Sequence, residues 1–196
     1  ALGLSGSPWE ATWRLLSSMI DDDHRNANNR FAVAAKLNRR ISPGPGPFWG
    51  CPPAQAGEHL TTTKVPCEPL PQWRTVEAEL RSRGRRPFSA WQLLGAGAVG
   101  SQSLLGVPAM ARMVERIAGS GRSTDVWPFT CGLAIPQGDT VLVEVWPTIV
   151  DIAGDPGDVW ETRVRDERQV VAVARHLAAI DLAGAFAPDV ANGRRA

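Results

Sequence analysis

Trp91-Gln92-Leu93-Leu94-Gly95-Ala96-Gly97-Ala98-Val99-Gly100-Ser101-Gln102 is the stretch on which the fold turns. An apolar run leads into glycines spaced G-x-G-x-x-G, and an apolar-rich segment follows. Glycines at that spacing give a dinucleotide-binding turn its tight bend and its close approach to a pyrophosphate. Such a unit also needs a second strand after the helix, with an acid about twenty residues on to hold the ribose. Glu115 stands near that distance but inside a helical pattern. The next strand, around Trp127-Pro128-Phe129, carries no acid at its end, and Pro108 breaks the intervening helical pattern. An NAD(P)-binding Rossmann reading through Gly95 to Gly100 therefore stays an alternative, and the rest of the chain must decide.

Working outward, Phe88 to Leu94 reads as a strand. Ser101 to Ile117 reads as a helix interrupted near Gly106-Val107-Pro108. Val126 to Ile135 and Thr140 to Val145 read as paired strands, joined by the turn residues Pro136-Gln137-Gly138-Asp139. Asp166 opens a long helix with Val170, Val173, Leu177 and Ile180 inward, and Gly184 ends it. Toward the N-terminus, Ser7-Pro8 is a helix start, followed by Trp9, Trp13, Leu16 and Ile20 at helical spacing. Phe31, Val33, Ala34, Leu37 and Ile41 mark a second helix, and Trp73, Val76 and Leu80 a third over about Pro71 to Ser82. From Ser42 to Pro71 the chain is rich in Pro and Gly, and Pro43-Gly44-Pro45-Gly46-Pro47 excludes regular structure. The adjacent Phe48-Trp49 pair predicts that this loop docks on the first two helices.

The bulk numbers exclude several classes. An apolar fraction of 43% over 196 residues is enough for a core. A net charge of +1 gives no strong field toward nucleic acid or membrane. Arg81, Arg83, Arg85 and Arg86 cluster locally, as on a solvated helix end. No apolar run is long enough to span a membrane. Three cysteines give no even disulfide framework, so a cytoplasmic setting is expected. Cys51, His59 and Cys67 are spaced too openly for a zinc site.

The order of several segments carries a resemblance. These are Asn28-Asn29-Arg30-Phe31 with Val33-Ala34, Leu37 and Asn38; Gly44-Pro45-Gly46-Pro47-Phe48-Trp49-Gly50; Trp91-Gln92-Leu93 with Gly97 to Gln102, Leu104, Gly106 and Pro108; Val126-Trp127-Pro128-Phe129; Glu144-Val145-Trp146-Pro147; and Asp166 with Gln169-Val170. Together they resemble a bacterial family of unknown function related to the DUF429 group of predicted ribonuclease-H-like nucleases, often labelled cobalamin-biosynthesis proteins. The resemblance covers Trp9 to Gly184. It implies an α/β fold with a partial ribonuclease-H-like sheet and a helical insertion, lacking the N-terminal strands. One domain is expected over 1–196: a helical and Pro-rich insertion at 7–86, an α/β portion at 87–185, and a tail at 186–196.

The chain departs from the family in three places, and the first two bear on activity. Family members carry Asp residues on two early strands that this chain does not contain. Their Trp-Pro-Phe-Glu-Thr is here Trp127-Pro128-Phe129-Thr130-Cys131, so a carboxylate is missing. Trp146 replaces a tyrosine.

Two-metal phosphoryl transfer gathers carboxylates around divalent ions about 4 Å apart. The resemblance makes Glu144 and Asp166 the catalytic and metal-binding candidates, with Mg²⁺ or Mn²⁺ as the ion. A carboxylate within the apolar run Val141-Leu142-Val143-Glu144-Val145 is costly to bury unless paired or metal-bound. Asp166 equally suits the first turn of a helix. Asn29, Arg30, Gln92, Ser101 and Gln102 are the substrate-binding candidates, toward nucleic acid or a phosphorylated small molecule. With the early acids missing, inactivity is expected of the chain as it stands, and a non-catalytic binding module of the same fold is the alternative. A short sheet with open edges also predicts a homodimer that covers one edge.

Overall fold

The computed structural model describes residues 6–68, 70–145 and 164–183. They form five α-helices and one two-stranded parallel sheet, a mixed α/β arrangement: α1 Pro8–Met19, α2 Arg30–Ile41, α3 Thr75–Ser82, α4 Val99–Gly119, β1 Thr124–Trp127, β2 Thr140–Val143 and α5 Arg165–Leu182. None of these helices is long and apolar enough to cross a membrane. The chain divides into two compact units, Ala1–Arg116 and Ile117–Ala196.

In the first unit, helix α1 starts where its sequence predicts. Ser7 is the N-cap and Pro8 the first helical residue, and the Ser7 hydroxyl donates to Glu10. The turn into α2 is tied by Asn29. Its amide nitrogen donates to the Met19 carbonyl and to the Asp21 carboxylate, and its oxygen accepts the Asp21 N–H. The apolar faces of α1 and α2 supply Leu16, Ile20, Phe31, Val33, Ala34 and Leu37 to one core. The Pro-rich loop completes that core with Phe48, Cys51 and Leu60, and Leu93 and Leu104 close it.

The loop is held there by Asn38, which is fully buried on α2. The Asn38 Nδ2 donates to the carbonyls of Phe48 at 2.9 Å and His59 at 2.7 Å. Its Oδ1 accepts the Phe48 N–H at 2.9 Å. A loop without a ladder of its own leaves buried backbone groups needing partners, and this one amide meets several of them. Ser42, at the end of α2, adds a hydroxyl 2.7 Å from the Gly46 carbonyl.

Three expectations are corrected. Phe88 to Leu94 is not a strand. The Gln92 N–H donates to the Ser89 carbonyl, so Ser89 starts a tight turn, and only an isolated parallel bridge between Trp49 and Gln92 remains. Helix α4 is not interrupted: Pro108 lies inside it, with its ring buried. The two strands do not form a hairpin. They are shorter than predicted and parallel, with Thr124 opposite Thr140 and Trp127 opposite Val143.

Parallel strands need a crossover rather than a tight turn, and in the second unit residues 128–139 provide it. Asp125 on β1 fixes that crossover. Its Oδ2 accepts the N–H groups of Gln137 and Gly138, each at 2.8 Å, and its Oδ1 accepts the Thr130 hydroxyl. Asp139 makes a second clip, accepting both the N–H and the hydroxyl of Ser123. Val126 is buried at the middle of β1. In α5, Ala172 and Val173 are buried, whereas Val170 is 61% exposed and does not face inward as predicted. Trp146, Pro147 and Gly184 lie outside the described residues.

Two outcomes follow from these polar anchors. Asn38→Ala leaves a buried N–H and two carbonyls unpaired, at about 1–3 kcal/mol per lost partner. The urea midpoint should fall by the equivalent of about 3–4 kcal/mol. Asn38→Asp should be worse than Asn38→Ala at neutral pH, because a carboxylate would face carbonyl oxygens, and should recover on acidification. An Asn38→Ala midpoint equal to wild type would show that the loop stands without this amide.

Hydrogen bonds from Gly138, Thr130 and Gln137 hold the Asp125 carboxyl below its ordinary range. The Ser123 N–H and hydroxyl, aided by Arg122, do the same for Asp139. A lowered folded pKa gives stability that is present above the unfolded value of about 3.9 and lost as pH falls through the folded value. The thermal midpoint should therefore decline below about pH 4. In Asp125→Asn it should start lower at neutral pH and decline less. An identical acid profile in the variant would remove Asp125 from the account.

Candidate functional site

The sequence candidates fall into two groups, one in each unit. In the first unit the fold brings Arg30, Gln92 and Ser101 to the glycine run. Arg30 Nε donates to Ser101 Oγ at 3.0 Å, and Ser101 Oγ donates to the Leu93 carbonyl at 2.6 Å. Arg30 Nη1 donates to Asn28 Oδ1, and its guanidinium lies 4.3 Å from the Phe31 ring centroid. Gln92 Nε2 donates to the carbonyls of Leu94 and Ala96, each at 3.0 Å, and so braces the turn from within. Asn29 sits at the α1–α2 junction described above, and Gln102 is exposed on α4. Each of these side chains except Gln102 bonds to the chain itself.

The glycines serve packing in the same place. Gly95 and Gly97 have positive φ. A Cβ at Gly97 would collide with the Phe88 ring, and one at Gly100 would lie 2.8 Å from the carbonyl oxygens of Ala90 and Gln92. An anion at the start of α4 would need free N–H groups there. Those of Val99 and Gly100 donate to the carbonyls of Gly97 and Gln92. The segment before the run is a turn rather than a strand, so the strand-turn-helix setting of a dinucleotide site is absent among the described residues.

In the second unit, Glu144 is exposed directly after the last residue of β2, outside the strand rather than buried within it. Asp166 is exposed in the first turn of α5, where acids are favourable against the helix dipole. Among the described residues, no three His, Cys, Asp or Glu side chains gather as a metal-binding group. A pair of carboxylates falls short of the set that two-metal chemistry uses.

The sequence reading missed a different site. In the first unit a cleft of about 450 Å³ is lined by Trp49, Trp91, Gln72, Lys64, Cys67 and several prolines, among them Pro47, Pro66 and Pro71. Its back wall is two zipped segments. The Trp49 N–H donates to the Trp91 carbonyl, and the Leu93 N–H donates to the Trp49 carbonyl. The Trp91 ring is fixed by its Nε1–H, which donates to the Pro71 carbonyl at 3.0 Å, and by an edge-on contact with Phe48 at 5.2 Å. Cys67 comes close to the Pro-rich turn because Gly46 has no side chain: a Cβ there would lie 2.8 Å from Cys67 Cβ. Lys64 is the charged lining residue, and it has no ion-pair partner among the described residues. The Gln72 side-chain amide likewise has no hydrogen-bond partner among them.

Phe48 and Trp49 were expected to dock together. Phe48 does enter the core, while Trp49 is half-buried and lines the cleft. Tryptophans 42 positions apart in the chain give no local pattern that pairs them. Their shared Pro-rich surroundings were the available signal. Comparison of the chain with protein-family models, curated proteins and solved structures finds no match.

Proposed function

We propose that this chain is a binding module whose cleft, lined by Trp49 and Trp91, receives a small organic ligand. One observation carries the reading: two indoles line one concavity of about 450 Å³. That size and an apolar, aromatic lining with few polar groups are typical of small-molecule sites. The polar candidates supply a second support, since Arg30, Gln92 and Ser101 bond to the chain itself rather than to open space. Free Cys51, Cys67 and Cys131 fit a reducing, cytoplasmic setting.

Ligand-observed NMR with adenine, cytosine, indole and quinoline as probes tests the cleft. At least one planar probe should bind, and Trp49→Ala should abolish its signal while Phe129→Ala, in the other unit, leaves it unchanged. Binding insensitive to Trp49, or no binding by any of the four, would sink the reading.

A second reading, metal-dependent phosphoryl transfer on a partial ribonuclease-H-like fold, has its own support. Glu144 follows the C-terminal end of a parallel strand, the end at which open α/β sheets bind ligands, and Asp166 belongs to the same unit. No catalytic step is derived from two carboxylates alone. If they bind a cation together, Mg²⁺ or Mn²⁺ should raise the thermal midpoint of the wild type, and both Glu144→Gln and Asp166→Asn should cancel most of that rise. Equal rises in all three proteins would mean nonspecific binding.

A further inference from the structure

We infer that the ligand of the cleft is a nucleoside monophosphate, an inference that rests on the binding-module reading above. The lining offers three separable chemistries within one concavity. Trp49 and Trp91 supply flat π-faces, on which any nucleobase stacks. The Gln72 amide has a free donor and a free acceptor, the pair that matches the hydrogen-bonding edge of a nitrogen heterocycle. Lys64 supplies one ammonium without a carboxylate partner among the described residues, suited to a single phosphate.

The lining also argues against other occupants. An aliphatic chain would leave the Gln72 amide and the Lys64 ammonium unused. A neutral heterocycle would leave Lys64 unused. A long polyanion would need a row of cations beyond the cleft. Of the arginines in and flanking α3, Arg74 at its N-cap pairs with Glu77, Arg83 at its C-cap pairs with Glu79, and Arg81 lies over the Trp73 ring, which leaves Arg85 and Arg86 as the exposed cations beyond the helix. The chain's net charge of +1 supplies no extended positive field of the kind that binds phosphate backbones. One flat base with one phosphate uses both the Gln72 amide and the Lys64 ammonium of the lining.

The rigid backing of the cleft makes it a preformed receptor. Trp91 is held through its own N–H and through Phe48, so its ring needs no reordering on binding. The Trp49 backbone is bonded on both sides. Little conformational freedom is therefore lost when a base enters.

Isothermal titration of the full chain with the four ribonucleoside monophosphates, their nucleosides, inorganic phosphate and a short oligoadenylate tests this. At least one monophosphate should bind saturably and more tightly than its nucleoside. Lys64→Ala should weaken the monophosphate about tenfold, the usual worth of a charged hydrogen bond, and leave nucleoside binding unchanged. Lys64 is exposed, so this variant should keep the wild-type melting temperature. Trp49→Ala should weaken both ligands about tenfold or more, and Trp49→Phe should restore part of that loss.

Nucleoside binding equal to monophosphate binding, with no effect of Lys64→Ala, would overturn the phosphate assignment and leave the cleft reading intact. Planar probes that bind while every nucleotide fails would overturn the nucleotide assignment alone. Inorganic phosphate binding as tightly as a monophosphate would remove the indoles from recognition. An oligoadenylate that binds more than tenfold tighter per chain would replace the mononucleotide with a single strand. Failure of every probe and every nucleotide would overturn both readings.

Discussion

The first unit depends on one buried amide. Asn38 stands on the core face of α2, a position where an apolar residue would satisfy the helical pattern equally well. Its polarity is what the Pro-rich loop requires. Prolines remove N–H donors and resist regular structure, so the loop pairs its backbone with itself only in short pieces, as between Gly50 and Thr61 and between Gly57 and Leu60. The Asn38 side chain instead reads both polar groups of Phe48 and the carbonyl of His59. That fixes where Phe48 enters the core, and with it the placement of Trp49 and Trp91 beside it. The cleft is thus built on a hydrogen-bonding residue that never reaches it.

The glycine run shows how one spelling serves two purposes. Glycines at this spacing allow a backbone to come close to something, and the spacing does not say to what. Here the near neighbours are the Phe88 ring and the carbonyls of Ala90 and Gln92. The polar residues around the run follow the same logic. Ser101, Arg30 and Gln92 look like ligand contacts in sequence because each has the right functional group beside a helix start. In the folded chain those groups are absorbed by Leu93, Asn28, Leu94 and Ala96.

The legible parts of the fold were those fixed by local periodicity and capping. Ser7-Pro8 and the spacing of Leu16 and Ile20 give α1, and Phe31, Val33, Ala34 and Leu37 give α2. The sheet was less legible. Pro136-Gln137-Gly138-Asp139 has the composition of a hairpin turn, but Asp125 captures the amides of Gln137 and Gly138 and returns the chain in the parallel sense. That bond spans residues that no short window joins. The cleft was hidden for the same reason, since its walls come from Trp49, residues 64–67 and 70–72, and Trp91. Asp166 stands at the start of its helix as its sequence predicts, whereas Glu144, read as lying within its strand, follows the strand's last residue.

The Asn38 clamp also sets how the first unit comes apart. Its partners lie 10 and 21 positions along the chain. With α1 and α2 packed but the loop away, the amide loses all the loop groups that pair it, and the apolar side chains beside it lose their cover. With the loop half seated, Phe48 or His59 would keep an orphaned carbonyl. Every intermediate arrangement carries a penalty that the complete one does not, so docking of the loop is close to all-or-none. The Trp49 side of the cleft inherits that cooperativity, because Trp49 follows Phe48 directly and leaves the helical core with it.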